Sequence, residues 1–430
     1  MKVVVLNGEF MKSLEMGKVL VDPKVFPIFQ TVTFHLERRG NEFFLVFRIW
    51  NKEDWLEGRV GCFVKFEEGE DEKVWKKWTV TVNYYQLMKV LKEFSKKQTL
   101  ILEKVDTDLG ISDNSGDNNG ILILLELQDA LLFDKPSFRG EGDKNFTSEF
   151  KLIVDNLDLL KAIKYVEFVR SSGKERYNSG CNYIQKYYLD TSDNESVYLV
   201  ATDNHRLSCY KLPVKEKSGA LKSGGVLLAK EQSLLLKSIS EATLNLLDIR
   251  VAEIEENGEV MVTFLALPFV YKGINFIERF PVWRDLAPKE FPRNMVIEEK
   301  VVKDMVDFIK KGEKFVKAMS KEKKRRNSFV DRVHFVFQEG VDQVKVEIWS
   351  IVNSEIPGKK VLEKEFPCKW SGDNFLIAFS MTYILEVLSV IQGGLKMQFT
   401  EATGITQIED LKDPNFIHWL MPIDLAKITS

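Results

Sequence analysis

Apolar and polar positions alternate along much of this chain, and the alternation is interrupted at intervals by segments of helical period. A strand followed by an amphipathic helix recurs six times, twice in each third of the sequence. The opening pairs are Val3–Leu6 into a helix near Glu9 to Val19, Phe150–Val154 into Leu157 to Val169, and Met295–Ile297 into Lys300 to Met319. The second pairs are Trp78–Val82 into Tyr84 to Lys97, Gly225–Leu228 into Lys230 to Ser240, and Phe375–Phe379 into Tyr383 to Ile391. Alternating or wholly apolar segments follow each helix. The pattern predicts an α+β fold of three repeated domains, each with two helices on curved antiparallel sheets. A helix so placed is covered on one face and leaves the other to a ligand.

A chain of 430 residues has room for roughly three domains with a core each. Gly140 and Gly142 among polar residues mark a break near Phe138 to Thr147, and a second falls near Pro288 to Arg293. The expected domains are therefore 1–146, 147–291 and 292–430. Asp106 to Gly120, rich in Asp, Asn, Ser and Gly, reads as a long flexible hairpin tip.

Composition narrows the chemistry mainly by exclusion. Hydrophobic residues make up 44% and charged residues 29%, with a formal charge of −3, as in ordinary soluble chains. The balance names no partner, so only the placement of the lysines and arginines carries information. Cys62, Cys181, Cys209 and Cys368 form no CxxC pair, which argues against a disulfide framework or a zinc site and for a reducing cytosol. The opening MKVVVLNGEF has no signal-peptide core, and no run approaches the roughly 18 apolar residues of a membrane helix, so a cytoplasmic location without membrane contact is expected. An enzyme is the rival class, with Asp203, His205 and Glu-rich segments as raw material. Against it, only His35, His205, His334 and His418 are present, and no HExxH, GxSxG or P-loop pattern occurs. His35, His334 and His418 sit in apolar alternating segments and read as strand residues. The 30 Phe read as core rather than as a base-stacking platform. No metal or cofactor is expected.

Two features point instead to binding. Tyr198–Ala201 suits a buried strand, Asp203-Asn204 a tight turn, and His205 and Arg206 are expected to project from its rigid edge. Lysines also recur on single faces of the predicted helices: Lys303, Lys310, Lys314, Lys317 and Lys321 on one, Lys89, Lys92 and Lys96 on another. Lys161 with Lys164, and Lys230 with Lys237, are weaker versions. A solvated helix face accounts for any one stripe alone. Recurrence in equivalent repeats favours a phosphate-facing surface that reads no sequence, because lysine is a flexible point charge. The run Lys321–Arg326 is either an extension of that surface or a basic loop.

The stretch Ala201-Thr-Asp-Asn-His-Arg-Leu207 resembles the ATDGHRL signature of the bacterial DNA sliding clamps, the β subunit of DNA polymerase III, with Asn204 where the family has Gly. Gly273 to Pro288, containing Phe280-Pro-Val-Trp-Arg-Asp285, is similar to the family's FPDYRRVLP segment. Phe375 to Leu388 is similar to its EIAFNVRYLLDVL stretch, and Ile405–Asp410 with Trp419–Leu425 to its QIED…VVMPMRL ending. The first third matches only in pattern, through Pro27–Val32. The resemblance implies a homodimeric, head-to-tail ring of clamp domains around double-stranded DNA, with helices facing the hole. It implies a non-catalytic processivity factor, loaded by an ATP-using clamp loader and tethering the replicative polymerase and other proteins that carry a clamp-binding peptide.

The same resemblance places a peptide pocket at Thr202, Asn204, His205, Arg206 and Leu207, at Pro281 and Leu286, and at Trp419, Met421, Pro422 and Ile423, with Asn178 as a further match. His205 and Arg206 would offer donors at its rim, and loss of the Met421 and Leu207 side chains would remove polymerase stimulation while leaving the dimer intact. Asp285, Asp424 and Trp419 replace an Arg, an Arg and a small aliphatic residue of the family pattern, which implies a more acidic and narrower pocket. Ala426–Ser430 continue past the usual end and are in position to cover the rim. The chain exceeds the usual family length, with the excess assigned to the Asp106–Gly120 tip, to the stretch from Asn51 to Trp78 and to the surroundings of Lys321 to Asn327. A divergent clamp paralogue used in repair, or a non-replicative ring, stands as the alternative.

Overall fold

The computed structural model describes residues 1–21, 24, 27–51, 54–69, 72–113, 121–128, 146–170, 182–243, 245–254, 258–321, 331–350 and 359–425. Within them the chain is α+β, with antiparallel sheets and six α-helices. These are α1 (Asn7–Glu15), α2 (Tyr84–Leu91), α3 (Asn156–Glu167), α4 (Lys230–Ala242), α5 (Glu299–Lys321) and α6 (Met381–Val390). Each follows a strand, at Lys2–Leu6, Thr79–Asn83, Phe146–Asp155, Gly225–Leu228, Arg293–Ile297 and Phe375–Ser380, so all six predicted strand-to-helix pairs form.

Three local expectations change. α2 stops at Leu91 rather than running to Lys97. Lys92 still has helical dihedrals as the cap, but the chain then turns through Glu93 N to Val90 O at 3.0 Å, which brings Phe94 into the core. The polar stretch after Asp106 is not all tip: Asp108–Asp113 is a paired strand because Leu109 and Ile111 alternate into the core, and residues 114–120 lie outside the described residues. The first part of the stretch after Asn51 is likewise a strand, Asp54–Lys65, anchored by buried Trp55, Leu56 and Val60.

The chain divides into two compact units, one of residues 1–160 and 213–277, the other of 161–212 and 278–430. The first holds a 13-stranded antiparallel sheet, in which Phe269–Phe276 of the middle third pairs with Asp54–Lys65 of the first. Two buried asparagines lock its helices. Asn7, the first residue of α1, donates to the carbonyls of Leu91, Phe94 and Ser95 at 3.0, 3.1 and 3.2 Å, where α2 ends. Asn156, the first residue of α3, donates to the Thr243 carbonyl at 3.0 Å, where α4 ends. The helix C-terminus leaves carbonyls without intrahelical donors, and a buried amide at the start of the paired helix supplies one.

In the second unit, Tyr187–Asp190, Tyr198–Thr202 and Arg206–Lys211 pair in succession, and Arg206–Lys211 then pairs with Asp413–Leu420 of the last third. The sheet continues through Thr406–Asp410, Leu395–Phe399 and Arg293–Ile297. A four-stranded sheet of Lys359–Pro367, Gln343–Ser350, Arg332–Phe337 and Phe375–Ser380 packs against α5 and α6. α5 approaches it closely enough that a Cβ on Gly312 would meet the Ile348 Cδ1 at 2.0 Å.

Candidate functional site

The turn between Tyr198–Thr202 and Arg206–Lys211 is built by its own side chains. Asn204 takes φ 73°, the left-handed conformation that Asn tolerates better than most residues. The Thr202 hydroxyl donates to the Arg206 carbonyl at 2.8 Å and accepts from Asn204 N at 3.1 Å. Asp203 Oδ1 accepts from His205 N and Arg206 N at 3.0 and 3.1 Å. Asn204 and His205 are exposed, the former accepting from the Tyr183 hydroxyl at 2.8 Å and the latter stacked on Tyr383 at 6.2 Å between ring centroids.

Arg206 does not project. It is buried, with Nε donating to Asp203 Oδ2 at 2.9 Å, Nη2 donating to the Phe168 carbonyl at 3.1 Å, and Nη1 lying 2.6 Å from Glu386 Oε2. The Tyr383 ring lies 4.1 Å from its Cζ. A guanidinium removed from water needs counter-charges and acceptors on several sides, and α6 together with the segment after α3 supplies them. Arg206 thus braces the turn from behind instead of offering donors at a rim.

The turn meets the tail through the sheet. Arg206 lies opposite Leu420 and Leu207 opposite Trp419, Met421 N donates to the His205 carbonyl at 3.0 Å, and Ile423 N donates to the Ala378 carbonyl at 2.7 Å. Leu207 and Trp419 are buried with Val200, Cys209 and Trp283 in one cluster, against which Phe280, Ala287 and Ile405 pack. The three matching segments therefore converge, and Trp283, absent from the expected pocket, sits at their centre. Asp190 holds it, accepting from Trp283 Nε1 at 2.7 Å and from Arg284 Nη2 at 3.0 Å. Trp283 was legible as part of the Phe280–Asp285 segment, and Asp190 only as the polar end of an apolar run.

Around this buried floor, Met421, Leu286 and Val282 are exposed, at 44%, 42% and 69%. Pro281, Pro422 and Ile423 are half-buried, as is Asp424, and Asp285 is exposed. Thr202 is buried. Asn178 and Ala426–Ser430 lie outside the described residues.

Below the floor, buried His418 shares a 2.6 Å hydrogen bond with Ser208, and burial first and Arg206 second hold its pKa well below the ordinary value. The other two strand histidines, His35 and His334, are lowered to about 4, chiefly by burial.

The lysines divide into groups. Lys89, Lys164, Lys230, Lys303, Lys310, Lys314 and Lys317 are exposed on their helices, while Lys92 and Lys96 are exposed beyond the end of α2. Lys237 is half-buried. Lys161, also half-buried, is bound to buried Asp413 at 2.7 Å. Lys303 and Lys317 pair with Glu299 and Glu313 one turn earlier, each at 2.6 Å. Lys321 closes α5, and 322–326 of the basic run lie outside the described residues. Lys310 also lines a cavity of about 400 Å³ with Phe168, Glu313, Leu385 and Glu386.

Residues 313–424 match the family described as DNA polymerase III beta subunit, C-terminal domain. The beta sliding clamp of Escherichia coli (strain K12) is 21% identical over 282 residues, covering 65% of this chain and 67% of that protein. The chain is similar to the DNA polymerase III beta sliding clamps, and its C-terminal part matches their family. The pol III beta structure of Caulobacter crescentus superposes with a TM-score of 0.72 at 16% identity, over 99% of this chain and 100% of that one. The DNA polymerase III beta subunit of Thermotoga maritima gives 0.71 at 16% identity, over 99% of each chain. At such identities the structural likeness speaks for the fold, and it extends the clamp fold over the first third, where sequence motifs were weakest. Among the described residues no helix is long and apolar enough to cross a membrane.

Proposed function

We propose that this clamp is a processivity factor: two copies close head to tail around duplex DNA and tether the replicative polymerase without catalysing a reaction. The observation that carries the reading is the register setting Arg206 and Leu207 against Trp419 and Leu420, which gathers the turn, the tail and the Phe280–Ala287 segment into one site. A linear peptide from the polymerase, the clamp loader or a repair protein would lay apolar side chains on Met421, Leu286 and Val282, with His205 at the rim. Buried Leu207 and Trp419 would form the floor, and Asp285 would favour peptides with fewer acidic residues than usual.

Two strands that end their sheets among the described residues support ring closure between copies. Leu122–Glu126 ends one sheet and exposes Ile121, Leu122 and Leu124, and Lys359–Pro367 ends another. An apolar edge strand is an aggregation hazard unless something pairs with it, and a second copy would do so. Three domains, at 1–146, 147–291 and 292–430, remain our division of the protomer. Lys89, Lys164, Lys230, Lys310 and Lys314 are the best-placed of the expected DNA contacts, because no carboxylate within one turn ties them as Glu299 and Glu313 tie Lys303 and Lys317. The setting would be the cytosol, on the nucleoid.

The test is retention on circular against linearised plasmid after loading by the cognate loader with ATP, at salt that screens simple phosphate binding. Retention on circles alone is the expected result. Equal loss from both, with a control clamp loaded normally, would refute a topological clamp.

A further inference from the structure

The segment that carries Val282 and Leu286 is fastened by side chains of one strand. Tyr188 and Asp190, alternate residues of Tyr187–Asp190, share a face, and Lys186 stands just ahead of them. Each meets a successive point of the segment. Lys186 binds Glu278 at 2.6 Å, and Tyr188 stacks on Phe280 with ring centroids 4.5 Å apart. Asp190 accepts from Trp283 Nε1 at 2.7 Å and from Arg284 Nη2 at 3.0 Å.

Of the three anchors, Asp190 is the buried one. Its oxygens divide the work: Oδ1 accepts from Ser192 N and Ser192 Oγ at 2.9 and 2.6 Å, and Oδ2 takes Trp283 and Arg284. Four donors fill the lone pairs of a carboxylate, so one oxygen is tied to the turn after its own strand and the other to the segment. Trp283 and Arg284 stand between the two exposed apolar residues, Val282 and Leu286. The buried indole lies 5.8 Å from that of Trp419, and the Arg284 guanidinium lies 4.6 and 4.7 Å from the Trp283 and Tyr198 rings. The exposed wall of the site thus takes its place from two side chains that end on a single oxygen.

We propose that Asp190 is a positioning residue of the peptide site: it touches no peptide, and through Trp283 and Arg284 it fixes the wall on which a partner's apolar side chains rest. The proposal rests on the peptide-site reading given above. Without the carboxylate the buried indole N–H has no acceptor, and its desolvation disfavours the present placement of the segment. Asn at this position keeps one oxygen for Trp283 and Arg284, because the Ser192 hydroxyl can reverse and accept from the amide.

The probe is the purified catalytic subunit of the cognate replicative polymerase, and its affinity for the immobilised full chain is measured by surface plasmon resonance. Asp190→Leu is expected to weaken binding about tenfold, and Asp190→Asn to stay within about threefold of the unaltered chain. Trp283→Phe, which keeps the ring and deletes its N–H, should weaken binding several-fold. In the Trp283→Phe background Asp190→Leu should add at most about threefold, because the two residues act through one contact, whereas a merely structural carboxylate would cost as much in both backgrounds. Thermal unfolding establishes that each variant folds, and if Asp190→Leu does not, Trp283→Phe decides. Weakening by Met421→Ala without weakening by Trp283→Phe or by folded Asp190→Leu would refute the positioning role and leave the peptide site standing. No effect of Met421→Ala would refute the peptide site and the positioning role with it. Equal losses from Asp190→Leu in the two backgrounds, or a loss by Asp190→Asn as large as by Asp190→Leu, would also overturn the proposal.

Discussion

Asn204 and Arg206 sit two residues apart and were unequally legible. The turn at Asp203-Asn204 follows from local chemistry, since Asp caps the backbone ahead of it and Asn accepts positive φ. The burial of Arg206 does not, because Phe168, Tyr383 and Glu386 reach it from distant parts of the chain. Glu386→Gln should therefore leave the fold intact yet loosen the turn, weakening a clamp-binding peptide several-fold in a fluorescence titration. An unchanged affinity would show that Asp203 and Phe168 brace Arg206 without it. Burial also separates Met421 from Leu207. Leu207, 3% exposed, belongs to the core, and Leu207→Ala should cost about 2–5 kcal/mol in urea unfolding. Met421, 44% exposed, is the position where Met421→Ala should remove peptide binding while stability stays within about 0.5 kcal/mol. The joint loss of both side chains is thus not the clean separation of function that the sequence alone suggested.

Helices were the most legible elements, because a 3.6-residue period survives without knowledge of the partner surface. Their ends were less so: nothing in Lys92–Lys97 forbids a helix, and α2 stops because Phe94 turns into the core. The asparagines that join the helices pairwise were invisible in sequence, since a polar residue after an apolar strand reads as an ordinary cap. Asn7→Leu would leave the carbonyls of Leu91, Phe94 and Ser95 without that donor, and should destabilise by about 1–3 kcal/mol in chemical denaturation. Gly312 carries the opposite lesson about α5. Ala normally improves a helix interior by up to about 1 kcal/mol over Gly. Here its methyl would meet buried Ile348, so Gly312→Ala should lower stability by about 1–3 kcal/mol by the same measurement.

At the scale of the whole molecule, the repeat was legible and the grouping of its parts was not. Phe269–Phe276 pairs with Asp54–Lys65, and Arg206–Lys211 with Asp413–Leu420, across more than two hundred residues each, and no local pattern announces such partners. Strands of all three sheets hold the three histidines wholly or partly out of water, which makes stability depend on pH in a direction that can be worked out. His35 and His334 are lowered to about 4, and His418 well below its ordinary value, so the folded chain keeps all three neutral near pH 5. The unfolded chain protonates them as pH falls through about 6.5, and from there downward it binds more protons than the folded one. Their effect is nil above that point and grows as pH falls toward 4. Buried His334 alone should cost about 2 kcal/mol between pH 7 and 5, with half-buried His35 adding less and His418 adding in the same direction. Glu37 and Glu253 are lowered below the ordinary carboxylate range, so their losses begin only under about pH 4.5 and do not contribute in that window. Urea unfolding at pH 7 and 5 should show the midpoint falling, and His334→Phe, which preserves the stack on Trp349, should flatten part of the slope. A midpoint unchanged between the two pH values would mean that the buried histidines accept protons without unfolding, against the dry strand environment in which the fold holds them.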